Sequence, residues 1–321
     1  MIKKRYSNMD AVEKKISWKE LRQWRKERRR KQKDLSFVVP SAESVDTDFL
    51  RRNRTETCIV WIGHSTFLIQ YKGLNIITDP VWANRMGLEK RLSAPGIPIG
   101  EMPEIDVVLI SHSHYDHLDF PSVRKLKGNP VYAVPAGLGG KFEAKRLKGA
   151  VEFEWWETRT VGTVEFAFVP AQHWTRRTLH DTNTSHWGGW VIRDAGDREP
   201  FAPCIYFAGD SGYFRGFREI GRRFSVDVAL MPIGAYEPEW FMSMQHVSPE
   251  EAVQAFMDVG AHLFIPMHYG AFRLADDTPK EALDRLHAAW RNRGLDPARL
   301  RVLKLGEIFF PQPSLTPAAR R

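Results

Sequence analysis

The feature that most constrains this chain is a short apolar run that ends in a crowd of metal-binding side chains. Val107–Ser111 reads as a buried strand, and it delivers His112-Ser113-His114-Tyr115-Asp116-His117 at its carboxyl end. Imidazoles and carboxylates are costly to bury without partners, so the strand must open into a site. An extended backbone at 112–114 turns His112 and His114 the same way. Asp116 and His117 follow the turn and can face a second ion. Imidazole nitrogen and carboxylate oxygen both suit zinc, and iron or manganese accept the same donors. A lone histidine is ordinarily packed or solvated. Three of the chain's 11 histidines within six positions, with an acid among them, call for a metal.

Strand signals recur on both sides of this cluster. Cys58–Ile62, Phe67–Tyr71 and Leu74–Thr78 precede it, with Lys72-Gly73 as a hairpin turn. A helix is expected over 120–127 and a strand at Val131–Val134. Further strands are expected at Val164–Val169, Gly189–Arg193, Cys204–Ala208, Val226–Met231, Leu263–Pro266 and, last, Arg301–Leu305. Pro249–Val259 and Pro279–Arg293 read as helices. Strands alternating with helices or loops in two successive halves indicate an α/β fold, with sheets covered by helices. Asp79, in Thr-Asp-Pro after a strand, is a candidate for orienting a ligand histidine, since metal-binding imidazoles need a partner on their other nitrogen.

Charge is distributed unevenly. Residues 1–35 hold 14 Lys or Arg against 5 Asp or Glu, whereas the rest holds 33 against 34. The basic character therefore belongs to an N-terminal arm. Within 14–33, Ser17 and Glu20 suit a capping box, and Trp18, Leu21 and Trp24 form an apolar stripe on a basic helix. The arm is expected outside the catalytic body, either as a solvated arm packing its two tryptophans on that body or as a contact for an anionic membrane surface or partner; deleting 1–33 should then spare metal binding. A near-neutral body argues against nucleic acid as a partner. Expected boundaries are 1–55 for arm and lead-in, 56–312 for the catalytic domain and 313–321 for a tail. With 43% hydrophobic residues the chain can bury a full core. Two cysteines without C-x-x-C spacing, no apolar run of spanning length and no leader pattern place it in the cytoplasm, peripheral to the inner membrane face where the arm engages lipid.

The H-x-H-x-D-H run resembles the signature of metallo-β-lactamase-fold hydrolases. Longer stretches are similar to the N-acylphosphatidylethanolamine-hydrolysing phospholipase D branch: Leu109–Asp119 (LISHSHYDHLD), Pro170–Leu179 (PAQHWTRRTL), Phe207–Tyr213 (FAGDSGY) and Pro232–Met242 (PIGAYEPEWFM). Ser113 and Tyr269 stand where that branch carries Asn and Trp. The resemblance implies a four-layer αβ/βα sandwich with two mixed β-sheets. It implies one metal on His112, His114 and His173, another on Asp116, His117 and His268, and Asp210 bridging the two. A hydroxide shared between the ions is the implied nucleophile. Asp116, Asp210 and His246 would then stand at the reacting centre, and His64 matches a position near the metals.

The substrate implied is a lipid phosphodiester, cleaved to a phosphatidic-acid-type product. Arg176 and Arg177 lie close behind His173, and a guanidinium suits a phosphate oxygen. Tyr236, Trp240, Phe241 and Met242 form an apolar loop beside Gln245 and His246 that either walls a substrate pocket or packs into the core. Other readings are a lactonase, a hydrolase of a small phosphorylated metabolite, a nuclease, and a non-catalytic metal-binding module at a membrane. Oligomeric state has no signature in the sequence.

Overall fold

The computed structural model of the protein describes residues 4–12, 17–196 and 202–311. The expected tail 313–321 lies outside them, as do 13–16 of the arm. One sheet has seven strands: β1 (Cys58–Gly63), β2 (Thr66–Tyr71), β3 (Leu74–Thr78), β6 (Val107–Leu109), β7 (Val131–Pro135), β8 (Ala150–Phe153) and β15 (Ile308–Phe309), in the order β15-β1-β2-β3-β6-β7-β8. A small hairpin, β4 (Arg85–Met86) with β5 (Glu89–Lys90), stands apart from it. The other sheet has six: β9 (Thr158–Val161), β10 (Val164–Val169), β11 (Gly189–Asp194), β12 (Ile205–Phe207), β13 (Val228–Pro232) and β14 (Leu263–Met267), in the order β14-β13-β12-β11-β10-β9. Both are mixed. β3, β6, β7 and β8 run parallel, as do β12, β13 and β14, while the other pairings are antiparallel.

Strand periodicity sorts the first sheet's side chains into two cores. On β1, Ile59 and Trp61 join Phe166, Phe168, Trp190 and Tyr206 in the core shared by the sheets. The alternating Cys58, Val60 and Ile62 face outward and pack with Leu50, Phe120 and Phe142. Those three belong to α2 (Thr47–Arg52), α3 (Phe120–Val123) and α4 (Gly139–Ala144). The second sheet is covered by α7 (Pro249–Val259), which packs on α5 (Gly216–Arg223) and α8 (Pro279–Asn292). α7 starts with a capping box, Ser248 with Glu251, and ends at Gly260 in the left-handed region, as its sequence dictates. Being covered on both faces makes the central strands, such as β1, β6, β12 and β13, apolar runs, whereas the edge strand β9 is exposed.

Four expectations need correction. Arg301–Leu305 is not a strand; only Leu305 makes a bridge, to Ser41, and the edge strand is Ile308–Phe309 on β1. The helix expected at 120–127 stops at Val123. Residues 34–55 are not a bare lead-in: Val39 and Leu50 are buried in the two cores, and Asn53 donates to Gln70 Oε1 at 2.8 Å. The basic helix α1 (Trp18–Arg30) packs only one of its two tryptophans on the body, Trp24, and leaves Trp18 exposed. The Trp24 indole stacks on Phe241 and donates to Asp276 Oδ2 at 2.7 Å; Lys33 pairs with the same carboxylate, and Arg28 lies 3.6 Å from Glu89. Acidic groups of the body, silent in a net-charge count, receive the arm. Phe241 and Trp240 lie on the short helix α6 (Glu239–Met242). Among the described residues no helix is long and apolar enough to cross a membrane.

Candidate metal centre

Both sheets end at one place, and each ligand-type side chain stands just past a strand. His112–His117 follow β6, His173 follows β10, Asp210 follows β12, and His268 follows β14. Asp79 follows β3, and His64 sits in the β1–β2 turn. Three of these adopt positive φ without being glycine: His64 (54°), Asp79 (33°) and His268 (61°). Such conformations cost about 1–3 kcal/mol each, and their concentration here means surrounding packing enforces the placement. Gly209 (φ 62°) is required beside Asp210, because a Cβ would meet the Gly188 carbonyl and Ser111 Cβ at 2.8 Å.

The side chains form two adjoining groups. His112 Nε2 lies 2.9 Å from His114 Nδ1, which is 3.1 Å from His173 Nε2. In the other group, Asp116 Oδ2 is 3.1 Å from His64 Nε2, 3.3 Å from His117 Nε2 and 3.6 Å from His268 Nε2. Asp210 reaches both: its Oδ2 is 3.8 Å from His112 and His173 Nε2 and 3.1 Å from His117 Nε2, and its Oδ1 is 3.1 Å from His268 Nε2. The donors within each group lie within 4.8 Å of one another.

These contacts fit a cation better than they fit each other. Ligands about 2.05 Å from a tetrahedral ion stand roughly 3.3 Å apart, close to the nitrogen–nitrogen spacings found. Burial holds His112 and His173 well below the ordinary imidazole range and His114 at about 4, so these rings are neutral and their lone pairs are available. Burial likewise takes His246 down to about 4. Burial also opposes protonation of His117 and His268, but the Asp210 and Asp116 carboxylates outweigh it and drive both up, His268 to about 9. The positive charge those carboxylates attract is the charge a metal would supply. His/Asp groups able to hold metal are thus present in both parts of the centre.

For His112, His117 and His173 the second nitrogen is tied down as metal ligands require, whereas His114 Nε2 and His268 Nδ1 are buried without a hydrogen-bond partner among the described residues. His117 Nδ1–H donates to Asp79 Oδ2 at 2.7 Å. The Ser111 hydroxyl donates to the same oxygen at 2.5 Å and accepts from His112 Nδ1–H at 2.9 Å. One buried carboxylate therefore orients a histidine of each group, through Ser111 for His112. His173 Nδ1–H donates to the Gln245 carbonyl at 2.9 Å.

A model of the beta-lactamase superfamily domain matches residues 74–269. The chain belongs to that family. An uncharacterized protein of Mycobacterium bovis is 36% identical over 252 residues, covering 74% of this chain and 65% of the relative; the chain thus spans about two thirds of that relative's length. An N-acyl-phosphatidylethanolamine-hydrolyzing phospholipase D of Caenorhabditis elegans is 33% identical over 301 residues, 86% of this chain and 82% of the relative. Among solved structures, Igni18, a metallo hydrolase of Ignicoccus hospitalis, superposes with a TM-score of 0.59 at 22% identity, covering 79% of this chain and 98% of its own; that likeness speaks for the fold. The two mixed sheets with outer helices are the layered metallo-β-lactamase sandwich.

Within this superfamily member, all seven residues expected to hold metal meet at the strand ends. His64 and His246 join them, His246 Nδ1 standing 3.8 Å from Asp210 Oδ2. Gln245 contributes its carbonyl to His173 and its side chain to the Trp174 indole. Arg177 is half-buried and spent on backbone carbonyls. Its Nη1 donates to the carbonyls of Ser113 (2.7 Å) and Leu118 (2.8 Å), so it braces the ligand loop. Arg176 is exposed, over the Trp174 ring, and remains open to an anion. Tyr236 does not line the cleft: it is fully buried, with Arg285 of α8 over its ring. The sequence reading missed Ser111 and Asn8. Ser111 adjoins the histidine run and could have been weighed; Asn8 is 165 positions from His173, and nothing local signals it. An open cleft of about 560 Å³ lies beside His114 and Asp116, walled by Tyr115 and by Arg85, Met86 and Gly87 of the β4–β5 hairpin.

Proposed function

We propose that the chain is a binuclear metal-dependent hydrolase, a phosphodiesterase of phospholipase D type acting on N-acylphosphatidylethanolamine-like or related lipids. One cation would be held by His112, His114 and His173, the other by Asp116, His117 and His268, with Asp210 between them; zinc fits these donors, and iron or manganese share them. The observation that carries the reading is Asp210, one carboxylate within 3.8 Å of imidazoles in both groups. When bound, such a pair of ions supplies Lewis acidity toward a phosphoryl oxygen and makes hydroxide available near pH 7.

The chain's own residues supply the rest. Asp79 and Ser111 fix the rings of His117 and His112. His246, neutral at ordinary pH, stands beside Asp210, where it can accept a proton from a water or give a hydrogen bond to a leaving oxygen. The cleft beside His114 would admit a headgroup, and Arg176, exposed over the Trp174 ring that packs on His114, is a cation available to its phosphate. Lipid delivery fits α1. Its inward face packs on Phe241 and Glu89, and its outward face carries exposed Trp18, Arg22, Arg25 and Arg29, a surface suited to anionic lipid. The choice of lipid phosphodiester over a lactone or small metabolite follows the activity named for the nematode relative and the exposed apolar and basic face of α1.

The test incubates metal-loaded protein with N-acylphosphatidylethanolamine in mixed micelles, with bis-p-nitrophenyl phosphate, and with an acyl lactone, beside Asp210→Asn. Release of a phosphatidic acid, lost in the variant, is expected. Turnover of the lactone alone would replace the substrate class. Turnover unchanged in Asp210→Asn would remove the centre.

A further inference from the structure

The N-terminal segment 4–12 crosses the surface beside the centre, and its side chains are spent on one neighbourhood. Tyr6 stacks on His186 with ring centroids 4.5 Å apart, and its amide donates to the Asn183 carbonyl at 2.9 Å. Asp10 grips Arg215 with both oxygens, at 2.8 and 2.9 Å. Between these anchors, Asn8 makes a reciprocal pair with His173. The His173 amide donates to Asn8 Oδ1 at 3.0 Å, and Asn8 Nδ2 donates to the His173 carbonyl at 3.0 Å. The same Oδ1 accepts from the Trp187 indole at 2.9 Å, and the same Nδ2 also donates to Val12 at 2.9 Å.

His173 has no strand partner at its own amide or carbonyl. β10 ends at Val169, and only Gln172 makes an isolated bridge, to Gly212. The ring is fixed at Nδ1 by the Gln245 carbonyl, but its backbone is positioned by a residue from the far end of the chain. An asparagine side chain carries a donor and an acceptor side by side, and so replaces the missing strand edge for one residue. Tilting the backbone of a ligand moves its nitrogen by tenths of an ångström, and partners behind the ligands commonly change metal affinity by 10–100-fold.

We infer that Asn8 is a positioning residue for the metal centre, and that the N-terminal segment is a strap that sets His173 rather than a dispensable arm. This rests on the reading of His173 as a ligand. It reverses the sequence-based expectation that residues 1–33 can be deleted without touching metal.

The test uses the full chain and two readouts: zinc affinity by competition with a chromogenic chelator, and the d–d absorption of the cobalt-substituted protein. His173→Ala identifies the ion in question by losing it. Asn8→Ala is expected to weaken that ion about tenfold or more and change its cobalt spectrum, leaving the other ion as in wild type. Asp10→Ala loosens another anchor of the strap but leaves the Asn8–His173 pair, so a smaller loss than in Asn8→Ala is expected. Wild-type values in Asn8→Ala overturn the inference, and so does a loss in Asp10→Ala larger than that in Asn8→Ala. Should Asn8→Ala fail to fold, Asn8→Asp, which keeps the acceptor and loses the donor, replaces it; a smaller loss is expected and wild-type values overturn. An unchanged ion count in His173→Ala would instead sink the ligand assignment.

Discussion

The floor and the mouth of the centre are built by opposite rules. On the floor, Asp79, Ser111, His112, His117, Asp210 and His268 are polar yet almost wholly buried, and each is held by short contacts to another. At the mouth, Leu88 on the β4–β5 hairpin is 93% exposed, Leu179 beyond His173 is 84% exposed, and Tyr115 beside the cleft is 53% exposed. Buried polarity needs complete partnership, whereas exposed apolar surface needs a guest. The floor is therefore fixed by chemistry and tolerates almost no substitution. The mouth decides what is brought to it, and substitutions there should change recognition and spare the reaction.

The largest expected effect lies on the floor. Asp210→Asn should lower hydrolysis of bis-p-nitrophenyl phosphate by more than about 100-fold, exceeding what loss of an outer partner does; a loss of a few-fold would erase the distinction. Next is Asp79→Asn. It weakens the hold on His117 and, through Ser111, on His112, so chelator competition should show both ions bound about 10–100-fold more weakly. Weakening of one ion alone would break the link through Ser111. At the mouth, Leu88→Asp should raise KM for lipid micelles up to about tenfold, equivalent to about 1.4 kcal/mol of apolar contact, with kcat and the soluble diester unaffected. A fall in kcat would mean that the hairpin belongs to the floor.

The smallest effect concerns the loop joining the two regions. Asp181 accepts from the Arg177 and Thr178 amides and pairs with Lys141. Burial raises its pKa, but the Lys141 ammonium and those amides outweigh it and hold the carboxyl well below the usual range. A lowered folded value gives stability that is present above the unfolded pKa of about 3.9 and is lost as pH falls below it. The gap between the urea midpoints of wild type and Asp181→Asn should thus be constant near pH 6 and begin to narrow only below about pH 4, as pH falls toward the folded value. A gap that does not narrow there would mean the loop does not need that charge.

The same contrast explains what could be read from the sequence. Metal chemistry demands particular residue types at strand ends, so His112, His114, Asp116, His117, His173, Asp210 and His268 stand out and do meet. Asp79 was legible because a carboxylate after a strand is what a ligand histidine needs. Arg177 was misread because guanidinium suits phosphate and carbonyl oxygens alike, and only coordinates show it spent on Ser113 and Leu118. Tyr236 could not be assigned to pocket or core because an aromatic among aromatics gives no sign of which side it faces. The arm's docking depends on Asp276, Glu89 and Phe241, more than 50 positions away along the chain, and no local periodicity reports such pairings. Arg301–Leu305 had strand-like composition but meets only an isolated bridge, because the adjacent edge position on β1 is taken by Ile308–Phe309.

Elemental analysis of the full chain, purified without chelator and set beside His114→Ala, probes the two-cation cage most directly. The account predicts two transition-metal ions per chain in wild type and one in the variant, where the three-imidazole group has lost its middle nitrogen. No stoichiometric metal in wild type, or the same count in both proteins, would contradict it.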